Sequence, residues 1–253
     1  MVELLFWPAL VAYGEAAVAY AGETRRPGVF GRPAIWGVRV GWLAQTALLV
    51  VQAARADGFP WSSWGGALNL FVWLVVTTYL VYGSRPRFGL LGLGVMPAAA
   101  GLLALAYAGG GIGDRGDHPG ALLVLHVVFM LAAFAGLMLA AGLAAFYLWH
   151  ERRLKRREPR ILRLTVPPLE SLDRLTGRMV AVSLGVLTAG IAFGLARLGA
   201  LDRGIDAAMA VSFVAWALYA GTVAVRLHGR RLARASLLGF AIVVVVLPIT
   251  HFA

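Results

Sequence analysis

The chemistry open to this 253-residue chain rests on five histidines, a few charges inside apolar stretches, and no cysteine. His126 lies about two helical turns inside a long apolar segment, and His251 sits in Val246-Leu247-Pro248-Ile249-Thr250-His251 near the C-terminus. The alternation of segments carries both to the same side of a membrane. Two neutral imidazoles facing one another across an apolar slot are what axial coordination of a haem iron requires. The competing reading makes His126 a hydrogen-bonded interhelical residue and His251 a terminal one. Glu15 and Arg39 enter the first two segments from one side to similar depth. An ion pair between them would offset the cost of isolated charge in lipid, and a proton-pathway carboxylate is the sharper alternative. Gln45 is expected to hydrogen-bond a neighbouring helix.

The remaining histidines offer less. His150 and His228 fall in basic segments, where a solvated or lipid-facing role is expected. His118 stands beside Asp114 and Asp117 in a Gly-rich loop without metal-ligand spacing. The absence of cysteine removes disulfides, thiolate metal sites, iron–sulfur clusters and thiol redox chemistry.

Composition says what must position these groups. Apolar residues make up 60% of the chain, charged residues 14%, and the mean hydropathy is +0.78. Soluble chains sit near 45–50% apolar and about 25% charged. Apolar runs of about 20 residues suit membrane helices, and the shorter alternating segments of a β-barrel are missing. The expectation is an all-α, polytopic transmembrane bundle forming a single integral membrane domain. Its eight spans fall at 4–22, 34–54, 63–83, 88–108, 120–149, 176–198, 207–226 and 233–251. The first apolar segment lacks a basic leader and a small-residue cleavage site, so it reads as a retained span.

Of the 23 Lys and Arg residues, all but Arg55, Arg115, Arg197 and Arg203 fall on one side of these spans. The positive-inside rule makes that side cytoplasmic and puts both termini outside, in the plasma membrane. The net charge of +11 is then mostly topology. The basic loop at 150–175, beginning His150-Glu151-Arg152-Arg153-Leu154-Lys155-Arg156-Arg157, reads as a stop-transfer and anionic-lipid anchor. No nucleic-acid partner is expected, because no aromatic side chains are interleaved there to stack bases. Trp7, Trp61 and Trp64 fall at the outer boundary and Trp36 and Trp149 at the inner one, as an aromatic belt would. Trp61 and Trp64 also suit the floor of an external pocket. Ala132, Gly136, Ala140 and Ala144 form a small-residue stripe and Gly190/Gly194 a GxxxG, both read as packing.

Several segments, in order, resemble the membrane cytochrome c assembly family of CcsA-like and HemX-like haem-handling proteins. These are His126-Val127; the run from Phe146-Tyr147-Leu148-Trp149 through Glu151-Arg152-Arg153-Leu154-Lys155; Pro167-Pro168-Leu169-Glu170-Ser171-Leu172-Asp173 with the Gly-rich span after it; and Trp216-Ala217-Leu218-Tyr219 with Arg226, Gly229-Arg230-Arg231 and Gly239-Phe240. The resemblance is fullest over residues 120–253 and includes Trp73 earlier. It implies b-type haem held near the outer leaflet by His126 and His251, with Asp206, Arg203, Trp61 and Trp64 as candidate surroundings. It also implies partners in cytochrome assembly or haem synthesis, besides the bilayer itself. The family's external Trp-rich segment ending in Asp-Pro-Lys is replaced here by residues 201–209, where Asp206 stands about where that aspartate falls. Gln45 stands where a span-two histidine is expected. These departures point to the HemX-like branch and away from a complete haem-to-apocytochrome ligase. A non-catalytic regulator of tetrapyrrole synthesis or cytochrome assembly, working through the basic loop without haem, is the second reading. A small-molecule transporter using Glu15, Arg39 and Gln45 is the third; its expected inverted repeat is not evident.

Overall fold

A computed structural model describes residues 2–26, 28–82, 88–111, 120–157, 167–201 and 207–252. Among these the chain is eight helices: α1 Val2–Arg25, α2 Gly31–Arg55, α3 Trp64–Tyr82, α4 Gly89–Ala108, α5 Ala121–Lys155, α6 Leu169–Leu201, α7 Ala207–Ala224 and α8 Gly229–Phe252. Six of them are long and apolar enough to cross a membrane, and α7 is a shorter apolar helix. This is the polytopic helix bundle expected from hydropathy, since a chain in lipid must pair its backbone groups within each segment.

The helix ends depart from the hydropathic limits mainly at one place. α5 runs six residues past its expected span, α6 begins seven residues early and α8 begins four early. All three extensions lie at the basic ends. A 35-residue α5 is about 52 Å long at ~1.5 Å per residue, against a hydrocarbon thickness of about 30 Å. Hydropathy marks where lipid stops; the helix continues because its polar continuation finds partners.

The helices group into two compact units, α1–α4 and α5–α8. In the first, α1 packs on α2 and α4, and α3 on α4 and α2. Polar side chains join these helices internally. The Tyr13 hydroxyl donates to Gln45 Oε1 at 2.7 Å, and Gln45 Nε2 donates to the Asn69 carbonyl and Oδ1 at 3.0 Å each. Asn69 Nδ2 donates to Gln52 Oε1 and Gln52 Nε2 to the Gly111 carbonyl, both at 3.0 Å. Gln45, Gln52 and Asn69 are fully buried, so each amide must find a partner or forfeit the desolvation cost of an orphaned polar group. The interhelical bond expected of Gln45 is thus one link in a four-residue chain.

A second junction is reciprocal. Thr46 and Thr77 each donate to the carbonyl four residues back, that of Trp42 and of Trp73. Each hydroxyl then accepts the indole N–H of the other helix's tryptophan, at 2.8 Å. The two indoles stack at 17° with centroids 6.1 Å apart. Trp42-Leu43-Ala44-Gln45-Thr46 and Trp73-Leu74-Val75-Val76-Thr77 thus form a clasp between α2 and α3.

Candidate functional site

In the second unit α5 packs on α6 and α8, and α6 and α7 complete the group. Close approach depends on glycine. A Cβ on Gly136 would strike Ser183 Oγ, one on Gly190 would lie 3.0 Å from Met130 Sδ, and one on Gly239 2.6 Å from the Tyr219 ring. The small-residue stripe and the GxxxG are packing surfaces, as read from spacing, but the GxxxG does more. A Cβ on Gly194 would sit 2.8 Å from His126 Nδ1. The missing side chain at Gly194 is the seat of the His126 ring.

One turn earlier on α6, the Gly190 carbonyl lies 2.8 Å from His126 Nδ1. A carbonyl only accepts, so Nδ1 carries a proton, which in the neutral imidazole is the Nδ1–H tautomer. Nε2 keeps its lone pair and has no hydrogen-bond partner among the described residues. The ring is partly buried, and Phe129 and Phe193, each three residues on from these contacts, meet with centroids 5.3 Å apart. A histidine tied through Nδ1 to a carbonyl, with Nε2 unpartnered among the described residues, is the arrangement that metal-ligating histidines use. The residues present fit a haem on this count.

His251 lies in the last turn of α8, a helix in direct contact with α5; its side chain is outside the described part. The basic ends of these two helices are joined by Arg230 Nε to Glu151 Oε2 at 3.1 Å. Twenty-five residues separate His126 from Glu151 and twenty-one separate His251 from Arg230. At ~1.5 Å per residue these are about 37 and 31 Å of helix, a difference of about one turn.

The same ionic contact belongs to a wider lock. Glu151 also pairs with Lys155 at 2.8 Å. Lying past the apolar run of α5, its carboxyl is held below the usual range, first by the Lys155 hydrogen bond and then by Arg230 against opposing desolvation. Asp173 near the start of α6 accepts the Gly229 backbone N–H at 2.6 Å through Oδ1, and its Oδ2 lies 3.5 Å from His228 Nδ1. The first N–H groups of α8 have no intrahelical partner, so Asp173 caps α8 from another helix. Gly229 has φ +59°, a left-handed conformation for which glycine is best suited. Glu151 of α5 and Asp173 of α6 therefore each fasten their helix to the start of α8. Their neighbours in the resemblance also pack: Tyr219 donates to the Ser236 carbonyl at 3.1 Å and Trp216 to Thr188 at 2.9 Å.

Other sequence candidates fare differently. Glu15 and Arg39 are both exposed on their helices, and no ion pair of the described residues joins them. The Arg39 guanidinium instead lies over the Trp36 ring, 5.2 Å from its centroid. Each side chain faces out of its unit, which is why topological depth alone did not bring them together. His150, expected to be solvated or lipid-facing, is instead 7% exposed with Nδ1 unpartnered; it packs against Phe146. Trp61 and Trp64 belong to the α1–α4 unit. Trp61 stacks edge-on to Phe59 with its indole N–H buried and unpartnered, and Trp64 lies against Gly109. Arg203 and Asp206, and His118, Asp114 and Asp117, lie outside the described residues. The Gly190–His126 hydrogen bond and the Trp–Thr clasp escaped sequence reasoning. The repeated W-L-x-x-T was the available signal for the clasp.

Comparison with known proteins points the same way. The family model described as cytochrome C assembly protein matches residues 61–252, about three quarters of the chain. The chain is also similar to an uncharacterized 28.8 kDa protein in nifR3-like 5'region of Azospirillum brasilense, 26% identical over 264 residues. That match covers 96% of this chain and 94% of the relative.

Proposed function

The chain belongs to the cytochrome c assembly protein family, and we propose that it holds b-type haem between α5 and α8 through His126 and His251. Haem handling in cytochrome c biogenesis is the family's business. The finer reading rests on one observation: His126 Nδ1 donates a hydrogen bond to the Gly190 carbonyl at 2.8 Å, which leaves the Nε2 lone pair for a metal. Haem bound there supplies a redox-active iron. The chain's own contribution is to select the tautomer, fix the ring against Gly194 and offer Phe129 and Phe193 as an apolar wall.

Direct packing of α5 on α8, with the Glu151–Arg230 contact at the basic ends, supports His251 as the second ligand. Arg203 and Asp206 are assigned to the haem propionates or to a partner's surface. The basic ends face the cytoplasm, both termini lie outside the plasma membrane, and the haem sits near the outer leaflet. No covalent haem product is assigned to this chain, because the Trp-rich segment is replaced. The regulator reading would present the charged loop after α5 to a partner. Glu151 and Asp173 instead turn toward α8, which favours the haem-holding reading.

The test is absorbance. Protein purified from cells supplied with haem should show a Soret band and a reduced α-band. His126→Ala should lose nearly all of the haem, and His251→Ala should convert the spectrum to a weaker, high-spin form. Full haem content in His126→Ala would overturn the assignment, and copurification of a partner through the basic loop with no haem spectrum would favour the regulator.

A further inference from the structure

The clasp between α2 and α3 borders a groove of about 320 Å³ lined by Trp36, Arg39, Trp42, Leu43 and Leu80. Trp36 is 61% exposed and Leu43 59% exposed, so in a membrane helix the lining meets acyl chains and not a protein core. The Trp42 wall is fixed, because its indole N–H is bound to Thr77 and its ring stacks on Trp73.

Arg39 is the unusual member. It lies eight residues into α2, about 12 Å along the axis, exposed and without a carboxylate among the ion pairs of the described residues. Glu23, at the same end of the unit, has its carboxylate engaged by the backbone N–H groups of Gly28 and Phe30, at 2.6 and 2.7 Å. A guanidinium in hydrocarbon needs a counter-charge or a route to the interface. Side chains on an α-helix lean toward its N-terminus, which for α2 is the basic end. Arg39 follows that direction, lying over Trp36 three residues earlier. Stacking on an indole leaves the N–H edge of the guanidinium free, and that edge matches two oxygens of a phosphate. Arg25, Arg26 and Arg32 are exposed at the same end and add to its positive field.

We propose that this groove binds one anionic phospholipid of the leaflet at the basic helix ends. Arg39 takes the headgroup phosphate, Trp36 backs the guanidinium, and an acyl chain lies along Trp42, Leu43 and Leu80. The site belongs to the α1–α4 unit and does not depend on haem.

The experiment reads tryptophan quenching in the full chain, reconstituted in phosphatidylcholine bilayers that carry either brominated phosphatidylglycerol or brominated phosphatidylcholine. Comparison with Trp36→Phe isolates the signal of the groove. The anionic lipid should be preferred there by about fivefold, the gain of one basic residue at an anionic surface. Arg39→Gln should abolish that preference, Arg39→Lys should keep most of it as a point charge, and Arg234→Gln on α8 should leave it intact. Equal quenching by the two lipids, undiminished preference in Arg39→Gln, or displacement of the lipid by inorganic phosphate would each overturn the proposal.

Discussion

In the α1–α4 unit, buried amides meet one another: Tyr13, Gln45, Asn69, Gln52 and the Gly111 carbonyl are consecutive partners, and the Trp–Thr clasp closes on itself. In the α5–α8 unit the helices approach through glycines, and polarity is left over. His126 keeps Nε2, while His150 Nδ1 and Ser236 Oγ are buried without partners. Among the described residues of the first unit, Trp61 is the one comparable orphan. A polar group whose capacity is used up internally holds helices together; one with capacity in reserve can take a ligand. That difference, more than the count of polar residues, is what the proposed haem site in the α5–α8 unit rests on.

The comparison breaks first at Gly194. Gly194→Ala places a methyl 2.8 Å from His126 Nδ1 and should turn the ring off the Gly190 carbonyl. Haem affinity should fall by about tenfold or more, as when the outer shell of a metal ligand is lost, while helix content by circular dichroism stays unchanged. Gly101→Ala, with nothing within 4 Å of the new methyl, is the matched control and should have no effect. Haem retained at full affinity in Gly194→Ala would mean that the ring's seat does not matter.

In the other unit the expected loss is stability without chemistry. Asn69→Leu removes the amide that donates to Gln52 Oε1 and one of the two acceptors of Gln45 Nε2, and should cost about 1–3 kcal/mol of unfolding free energy. Haem per folded molecule should not change. A drop in haem per folded molecule would join the two units functionally and blur the distinction between them.

The ionic lock should give smaller effects. Asp173→Ala removes the cap on Gly229 and should cost about 1 kcal/mol, with amide exchange rising at the first turn of α8. Glu151→Gln should cost less than about 1 kcal/mol, as for partly exposed ion pairs. Its sign with pH is fixed by the lowered carboxyl: the stabilisation is full above the usual carboxylate range and disappears as pH falls through the lowered value. Wild type and Glu151→Gln should therefore converge in acid, and a gap that widens there would contradict the assignment.

Much of this was legible in the sequence because lipid imposes a simple rule on composition. The eight helices follow from apolar runs, and His126 stands out because ionisable rings inside such runs are uncommon. What hydropathy could not reveal is what polar residues do with each other. The basic ends of α5, α6 and α8 lengthen because Glu151, Asp173 and Arg230 find tertiary partners, and no local signal encodes that. Glu15 and Arg39 looked paired by depth, yet helical phase turns both outward, and phase is poorly marked where nearly every residue is apolar. Gly194 read as packing, which it is; its partner was the missing information.

The most direct test is chemical rescue of His126. His126→Gly, purified with haem present, should lack the low-spin spectrum of the wild type, and added imidazole should restore it by occupying the space of the deleted ring. A low-spin spectrum in His126→Gly without imidazole, identical to the wild type, would show that the iron is held elsewhere and that His126 is only a hydrogen-bonded residue between α5 and α6.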